Sequence, residues 1–443
     1  MSTSTAPKVK AQYESYPYPP RKAEQEDKRL LTTAMDALDT ISHYGFGGAF
    51  NPKGKRILIA GEGTGDSTIY LAEQLRDYDT EIVALDFSQT SQEISKARLK
   101  ARGLSNVQSV HGSLLELDSM ELGQFDYINC SGVLHHLEDP LAGLQQLKAA
   151  LTDDGVIALL LYSTVGRMPV YNMQHAMRLV SAEDDSDAQR IAICRSILQD
   201  LPATNWLQGM RQSVTNEINY YGDAGLYDLF LHSQDRGYSV EDIYALLGDA
   251  QMEMIDFIGL QSNAAVLYAP EAFVPSQAEA MKNMSKQERY AIAEKAGCHI
   301  PLHIFYASKK AKTPAQSTNE HLIPVWASQK VSNNMGEQII QAFEGKDEGT
   351  ALSLTAQGQI GVQVTLAKRS YTTALLQAID GERSLAEIIQ HVCAEHKAEP
   401  DTVRTQLREL FFSLHMQHFL MLRSADSPRW PSTAELQARV SQS

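Results

Sequence analysis

The sequence predicts a doubly wound, mostly parallel α/β sheet of seven strands, with helical insertions and a small C-terminal α+β module. Three observations carry this expectation. Short apolar runs alternate with helical periodicity from Lys55 to Tyr162. The runs are apolar at consecutive positions, as strands covered on both faces must be. A glycine turn, "GEGTG" at 61–65, follows the first run, at the point where open α/β sheets bind their ligands.

"KRILIA" predicts the first strand, and Ile69, Ala72 and Leu75 mark the helix after it. "EIVALDF" gives the second, followed by a helix carrying Ile94, Ala97, Ala101 and Leu104. "NVQSV" and "FDYINC" are the third and fourth. Leu141, Leu144, Leu147 and Leu151 then stripe a helix before the fifth strand, "GVIALLLY". Ser239 and Asp242 form a capping box ahead of the sixth strand, "MEMIDFI", and "PLHIFYASKK" reads as an antiparallel seventh. At 443 residues the chain exceeds the roughly 250–300 that one core supports. The expected division is an arm or cap over 1–50, the main domain over 51–308, a polar linker over 309–350, a winged-helix-like domain over 351–425 and a tail over 426–443. Two insertions, 163–238 and 259–300, leave the sheet on the ligand side and are expected to roof the site.

A formal net charge of −15 disfavours a broad phosphate-binding face. In the last module Arg404 and Arg408 alternate with Glu409, too narrow a basic face for reading nucleic acid. Cys130, Cys194, Cys298 and Cys393 lie far apart with no metal-ligand spacing, so the expectation is no metal, no disulfide and a reducing cytoplasm. The first twenty residues have no apolar core. The longest apolar run, "VIALLLY", is far short of a membrane span, so no membrane partner is expected.

The glycines discriminate among ligands. A dinucleotide fingerprint needs a third glycine where Asp66 stands, and a P-loop needs a Lys-Ser/Thr that is missing. No Tyr-x-x-x-Lys pair follows the fifth strand, against a nicotinamide-dependent oxidoreductase. What remains is G-x-G-x-G with Asp86 ending strand two, where a carboxylate can accept both hydroxyls of an unphosphorylated ribose.

"ILIAGEGTGDSTIYLAEQL", "ALDFSQTSQEISKARLKARGL", "HGSLLEL" and "FDYINCSGVLHHLEDPLAGLQQLKAALTDDGVIALLLY" resemble the successive motifs of class I S-adenosylmethionine (SAM)-dependent methyltransferases. The resemblance covers about residues 40–165 and carries on through 232–308. It implies a Rossmann-like methyltransferase sheet, SAM as cofactor, and methyl transfer to an oxygen or nitrogen nucleophile. It also implies that Gly61, Gly63 and Gly65 line the methionine part of SAM, that Asp86 holds the ribose, and that Phe87 packs near the adenine. Ser113 and Leu114 would flank the adenine ring, and Cys130, Ser131 and Gly132 would run beneath the transferring methyl. Two positions depart from the family pattern. The acid usual before the first glycine is Ala60, with Glu62 as its replacement, and Ser113 stands where an acid usually meets adenine.

Candidates for the acceptor side come from four stretches. His135 and His136 follow strand four and could take a proton; their alternative is packing against the next helix. Tyr16, Tyr18 and Arg21 (with Tyr13) lie on a proline-stiffened arm that could fold over the cofactor, or dock on the surface. His43, just before strand one, could reach the SAM carboxylate or simply sit in a turn. His232, Asp235, Arg236 and Tyr238 could bind the acceptor, or form an internal Asp–Arg pair that fixes the loop. "LLQAIDGERSLAEII" loosely resembles PqqD-like winged-helix modules that capture peptides; the alternative is a packing or homodimerisation appendage. The reading is therefore a methyltransferase with a peptide or protein acceptor, ahead of a small-molecule acceptor. A non-catalytic scaffold acting through the winged-helix module is the reading from another class.

Overall fold

The computed structural model describes residues 7–182, 184–258, 264–328, 334–354 and 364–440. Its main sheet contains β1 (Lys55–Ala60), β2 (Thr80–Asp86), β3 (Val107–His111), β4 (Phe125–Ser131), β5 (Leu151–Tyr162), β6 (Glu253–Ile258) and β7 (Leu302–Ser308). The order is β3-β2-β1-β4-β5-β7-β6, with β7 antiparallel to both neighbours. Alternation along the strands divides the sheet's two faces. Ile57, Ile59, Ile82 and Tyr127 enter one core, while Leu58, Ala60, Val83 and Ile128 enter the other. Both faces are dry, which is why the strands read as continuous apolar runs.

Helices follow the strands in chain order. α1 (Pro7–Ser15) precedes the sheet; α2 (Asp66–Gln74), α3 (Gln89–Ala101) and α4 (Pro140–Ala150) cross between its parallel strands. Side-chain caps start two of them: Ser88 Oγ accepts from Ser91 N at α3, and Asp139 from Ala142 N at α4. The first insertion supplies α5 (Met168–Val180), α6 (Asp187–Asp200) and α7 (Arg211–Leu226), which close around their own core of Val170, Met177, Cys194 and Phe230. α8 (Val240–Asp249) begins with the expected capping box of Ser239 and Asp242.

The second insertion carries α9 (Lys286–Gly297) and departs from the expected roof. Its Ala291, Ile300 and Tyr268 pack with Ile243 and Phe257 beside the β6–β7 edge. Glu294, buried, accepts from the backbone N–H of Val240 (3.1 Å) and bonds His303 Nε2 (3.0 Å). A buried carboxylate held by two elements of the sheet layer keeps α9 on that flank.

The span 309–350, expected to be a linker, also differs: it contains β8 (Ile323–Trp326) and α10 (Met335–Phe343). Each is too short to register as a period in a polar stretch, yet Ile323, Val325, Ile339 and Phe343 are buried. β9 (Ala351–Leu354) and β10 (Val364–Ala367) form an antiparallel pair, followed by α11 (Thr372–Ala378), α12 (Leu385–His396) and α13 (Pro400–His415). β11 (Leu420–Arg423) then returns to pair with β8. This module docks on the segment before β1: Leu422 N–H donates to His43 Nδ1 (2.9 Å), and Ser427 Oγ bonds the carbonyls of Gly48 (2.8 Å) and Phe50 (2.9 Å). Among the described residues no helix is long and apolar enough to cross a membrane.

The N-terminal arm is held by buried charge. Arg98 Nε pairs with Glu26 (2.6 Å) and Arg98 Nη1 with Asp66 (2.8 Å); Arg102 Nε pairs with Glu26 (2.7 Å). Both arginines are fully buried, so removing their shared carboxylate leaves two buried cations with one acid each, Asp66 for Arg98 and Glu73 for Arg102. Glu26→Gln should lower the thermal midpoint by roughly 5 °C or more. Arg195→Ala, which breaks an exposed pair with Asp223, should move it little in the same melt.

Candidate active site

A cavity of about 360 Å³ opens at the carboxyl ends of β1, β2, β4 and β5. Gly61, Glu62, Gly63, Asp86, Phe87, Ser113, Leu114, Ser131, Tyr18 and His136 all line it. The structure thus brings together most of the residues expected around the cofactor, but only His136, Tyr13 and Tyr18 of those expected on the acceptor side.

The glycine turn works in two ways. Gly61 sits at φ +86°, and a Cβ there would lie 2.3 Å from Val133. Gly65 (φ +98°) is placed differently from expectation: it does not line the cavity but faces Ser95 of α3, whose Oγ would be 2.4 Å from an added Cβ. It serves close packing of the turn on α3. Asp86 accepts from the backbone N–H of Gly63 (2.7 Å) and of Ser88 (2.8 Å), one to each oxygen. Each oxygen keeps a lone pair toward the cavity. Burial raises the Asp86 pKa against these two donors.

Glu62 is engaged elsewhere. Its carboxyl accepts from Ser95 Oγ (2.6 Å) and Thr68 Oγ1 (3.1 Å), and burial pushes it up to about 7. Asp66 also lines the cavity. Burial pushes its carboxyl up, but Arg21 and Arg98 outweigh that and hold it below the usual carboxylate range. Arg21 makes two contacts to Asp66 at 2.7 and 2.9 Å, so it latches the arm rather than facing an acceptor. The arm lies directly on the turn: Thr64 Oγ1 donates to the carbonyl of Pro19 (2.6 Å).

Beyond Gly132 the wall becomes aromatic and acidic. Tyr13, Tyr18, Tyr162, His136 and Asp228 converge there. Tyr162 donates to Asp228 Oδ2 (3.3 Å), and the Tyr18 hydroxyl donates to Glu217. Burial lifts Asp228 to about 7, opposed by Arg167, whose guanidinium lies 3.7 Å over one face of the Tyr162 ring. Asp228 and Tyr162 were not singled out in the sequence. The available signal was an acid inside the apolar stretch "LYDLFLH", four residues before His232.

The histidines are set by one backbone unit. The Gln234 carbonyl bonds His136 Nδ1 (2.9 Å), and the Gln234 N–H donates to His232 Nδ1 (3.1 Å). In the neutral rings His136 therefore carries its lone pair on Nε2, whereas the single lone pair of His232 is already used. Burial drives His136 down to about 4 and His232 well below its ordinary value. His136, His232 and Asp228 bring ligand atoms within 4.8 Å of one another. The two rings stack at 3.9 Å and 19°, which aims their nitrogens along near-parallel planes rather than at one point. With the His232 lone pair spent, the trio suits an ion poorly.

Several expected site residues lie outside the cavity. His135 is buried and stacked on Tyr162 at 3.9 Å, behind the wall. Cys130 is wholly buried in the core beneath β4, its thiol pushed by burial far above its ordinary value. His43 accepts from Leu422 in the C-terminal module. Tyr16 stacks on Tyr227 within the insertion (5.0 Å). Asp235 accepts from Gln174 (3.0 Å), Arg236 is exposed, and Tyr238 is core. Pairing removed His43, Tyr16 and Asp235, core packing removed His135, Cys130 and Tyr238, and Arg236 turns to the surface.

A family model described as a methyltransferase domain matches residues 58–157. An uncharacterized protein of a Synechococcus species is 30% identical over 302 residues, covering 66% of this chain and 69% of that protein. The chain is a class I SAM-dependent methyltransferase. The demethylmenaquinone methyltransferase of Geobacillus kaustophilus is 32% identical over 108 residues, 24% of this chain and 45% of its own length, so the match spans less than half of that enzyme. The fold is shared with PKMT2 from Rickettsia typhi in complex with AdoHcy: TM-score 0.63 at 14% identity, covering 89% of this chain and 77% of that one.

The cofactor of this methyltransferase is SAM, and the cavity fits it on its own evidence. A carboxylate with spare lone pairs ends β2, and Gly132 leaves open space where a Cβ would stand. Asp86→Ala should weaken S-adenosylhomocysteine binding by roughly 10- to 100-fold in calorimetry, the worth of a charged hydrogen-bond acceptor. Asp228 and Glu62 both have folded-state pKa values raised to about 7. Unfolded, they ionise in the ordinary carboxylate range, so the ligand-free methyltransferase should lose stability as pH rises from about 4 to about 7. Denaturation at pH 5 and pH 8 should show that difference, and Asp228→Asn should shrink it.

Proposed function

We propose that this methyltransferase modifies a nucleophile carried on a peptide or protein. The observation that carries this reading is the surface of the first insertion. Of the seven large apolar side chains exposed among the described residues, five (Met168, Leu179, Val180, Trp206 and Tyr220) lie there. Exposed apolar groups concentrated on the insertion that also supplies Asp228 to the cavity wall support a surface for another polypeptide. Arg404 and Arg408 both pair with Glu320, which supports an acceptor other than nucleic acid. The β9–β10 pair with α11–α13 supports a winged-helix-like module, whose place beside the enzyme is compatible with holding a peptide. A small-molecule acceptor is the second reading, favoured by the closure of the cavity under Tyr13, Tyr18 and Pro19.

When bound, SAM supplies an electrophilic methyl group on a sulfonium, which a lone pair displaces in line. In this reading Asp86 grips the ribose, Phe87 and Leu114 enclose the adenine, Ser113 offers it a hydroxyl, and Asp66 receives the amino group in place of the missing acid at Ala60. Tyr13, Tyr18 and Pro19 exclude water, and Tyr162 orients Asp228. His136, held neutral and driven down to about 4, is too weak a base to take an acceptor proton, so it serves as a wall. Incubating the enzyme and methyl-labelled SAM with lysate from cells lacking this chain should place the label in a protein band. Label confined to small molecules would move the reading to the second acceptor class.

A further inference from the structure

We propose that the chamber beyond Gly132 receives a protonated amine, and that Asp228 takes the proton that frees its lone pair. This rests on the methyltransferase reading of the cavity and names the acceptor atom within it: nitrogen, on a slender alkylamine arm.

The geometry of one carboxylate leads. Asp228 is nine-tenths buried and lines the cavity. Its Oδ2 accepts from Tyr162, and Oδ1 has no hydrogen-bond donor among the described residues. A carboxylate that lines a cavity with one oxygen free of donors is placed to accept from whatever enters. The rings of Tyr13 and Tyr18 line the same space; Tyr162 also lines it, but the faces of its ring are taken by His135 (3.9 Å) and by the Arg167 guanidinium (3.7 Å), so it contributes its hydroxyl rather than a face. Aromatic faces with a carboxylate behind them attract ammonium groups and give little to a neutral hydroxyl.

The surrounding charge has the same sense. Asp228, Asp235 and Glu217 each have a pKa raised chiefly by burial. Against them stands Arg167, which lies behind Tyr162 and outside the cavity lining. Arg21 is committed to Asp66, and Arg178 is exposed. The two histidines are neutral. An entering ammonium supplies the missing positive charge. One N–H proton then passes to the Asp228 carboxylate, leaving a neutral amine with a free lone pair and a carboxylic acid at Asp228. A hydroxyl acceptor would need a stronger base than this chamber contains.

The test uses binding of two cofactor analogues to the full chain at pH 8. Sinefungin carries an ammonium group where SAM carries the transferred methyl, and S-adenosylhomocysteine carries nothing there. The wild type should bind sinefungin at least tenfold more tightly than S-adenosylhomocysteine. Asp228→Asn should erase most of that preference while leaving S-adenosylhomocysteine affinity within about twofold, which also reports that the variant is folded. Tyr162→Phe should reduce the preference by less. Equal affinity of the wild type for both analogues, or an undiminished preference in Asp228→Asn, overturns the amine assignment. Failure of the wild type to bind S-adenosylhomocysteine overturns the cofactor site, and the proposal with it.

Discussion

The buried chain of charges from Arg21 through Asp66, Arg98 and Glu26 to Arg102 is the constraint on which the site depends. Asp66 begins the helix after the glycine turn, Arg98 and Arg102 lie at the end of α3, and Arg21 and Glu26 belong to the arm. Buried ion pairs contribute little net stability compared with apolar packing, but they tolerate few alternative geometries. Here they fix three elements in one arrangement. The arm that bears Tyr13 and Tyr18 is thereby set over the turn, and the cavity has a roof before any ligand enters.

The two halves of the cavity follow different physics. The cofactor half is made of backbone: glycines, strand ends and an acid whose orientation is fixed by two N–H groups. The half beyond Gly132 is made of long side chains from the arm, from β5 and from the first insertion. Its character is set by burial, which neutralises the histidines and leaves carboxylates short of counter-charge. One residue, Gln234, fixes both imidazole tautomers through its backbone N–H and its carbonyl.

This division explains what was legible in the sequence. The seven strands, their directions and the place of Asp86 at the cavity follow from local patterns: apolar runs, turn glycines and the residue that ends a strand. The acceptor side depends on contacts between segments up to about 200 residues apart, such as Tyr18 with Glu217, and no local pattern encodes them. Polar residues clustered in sequence, Asp235, Arg236 and Tyr238, diverge because neighbouring positions face different ways. Asp228 was hidden by its apolar neighbours, the very feature that buries it. His43 drew attention as a polar residue beside strand one, but the C-terminal module covers it. β8 and α10 were missed because apolar residues scattered in a polar segment acquire meaning only when β11 returns to pair with β8 and the later helices cover Ile339 and Phe343.

The arm also bears on access. Because Pro19 is bonded to the glycine turn and Tyr13 and Tyr18 form part of the wall, the segment before the sheet covers one side of the cavity. Uncovering the turn on that side requires both the Thr64–Pro19 bond and the Arg21–Asp66 pair to open together.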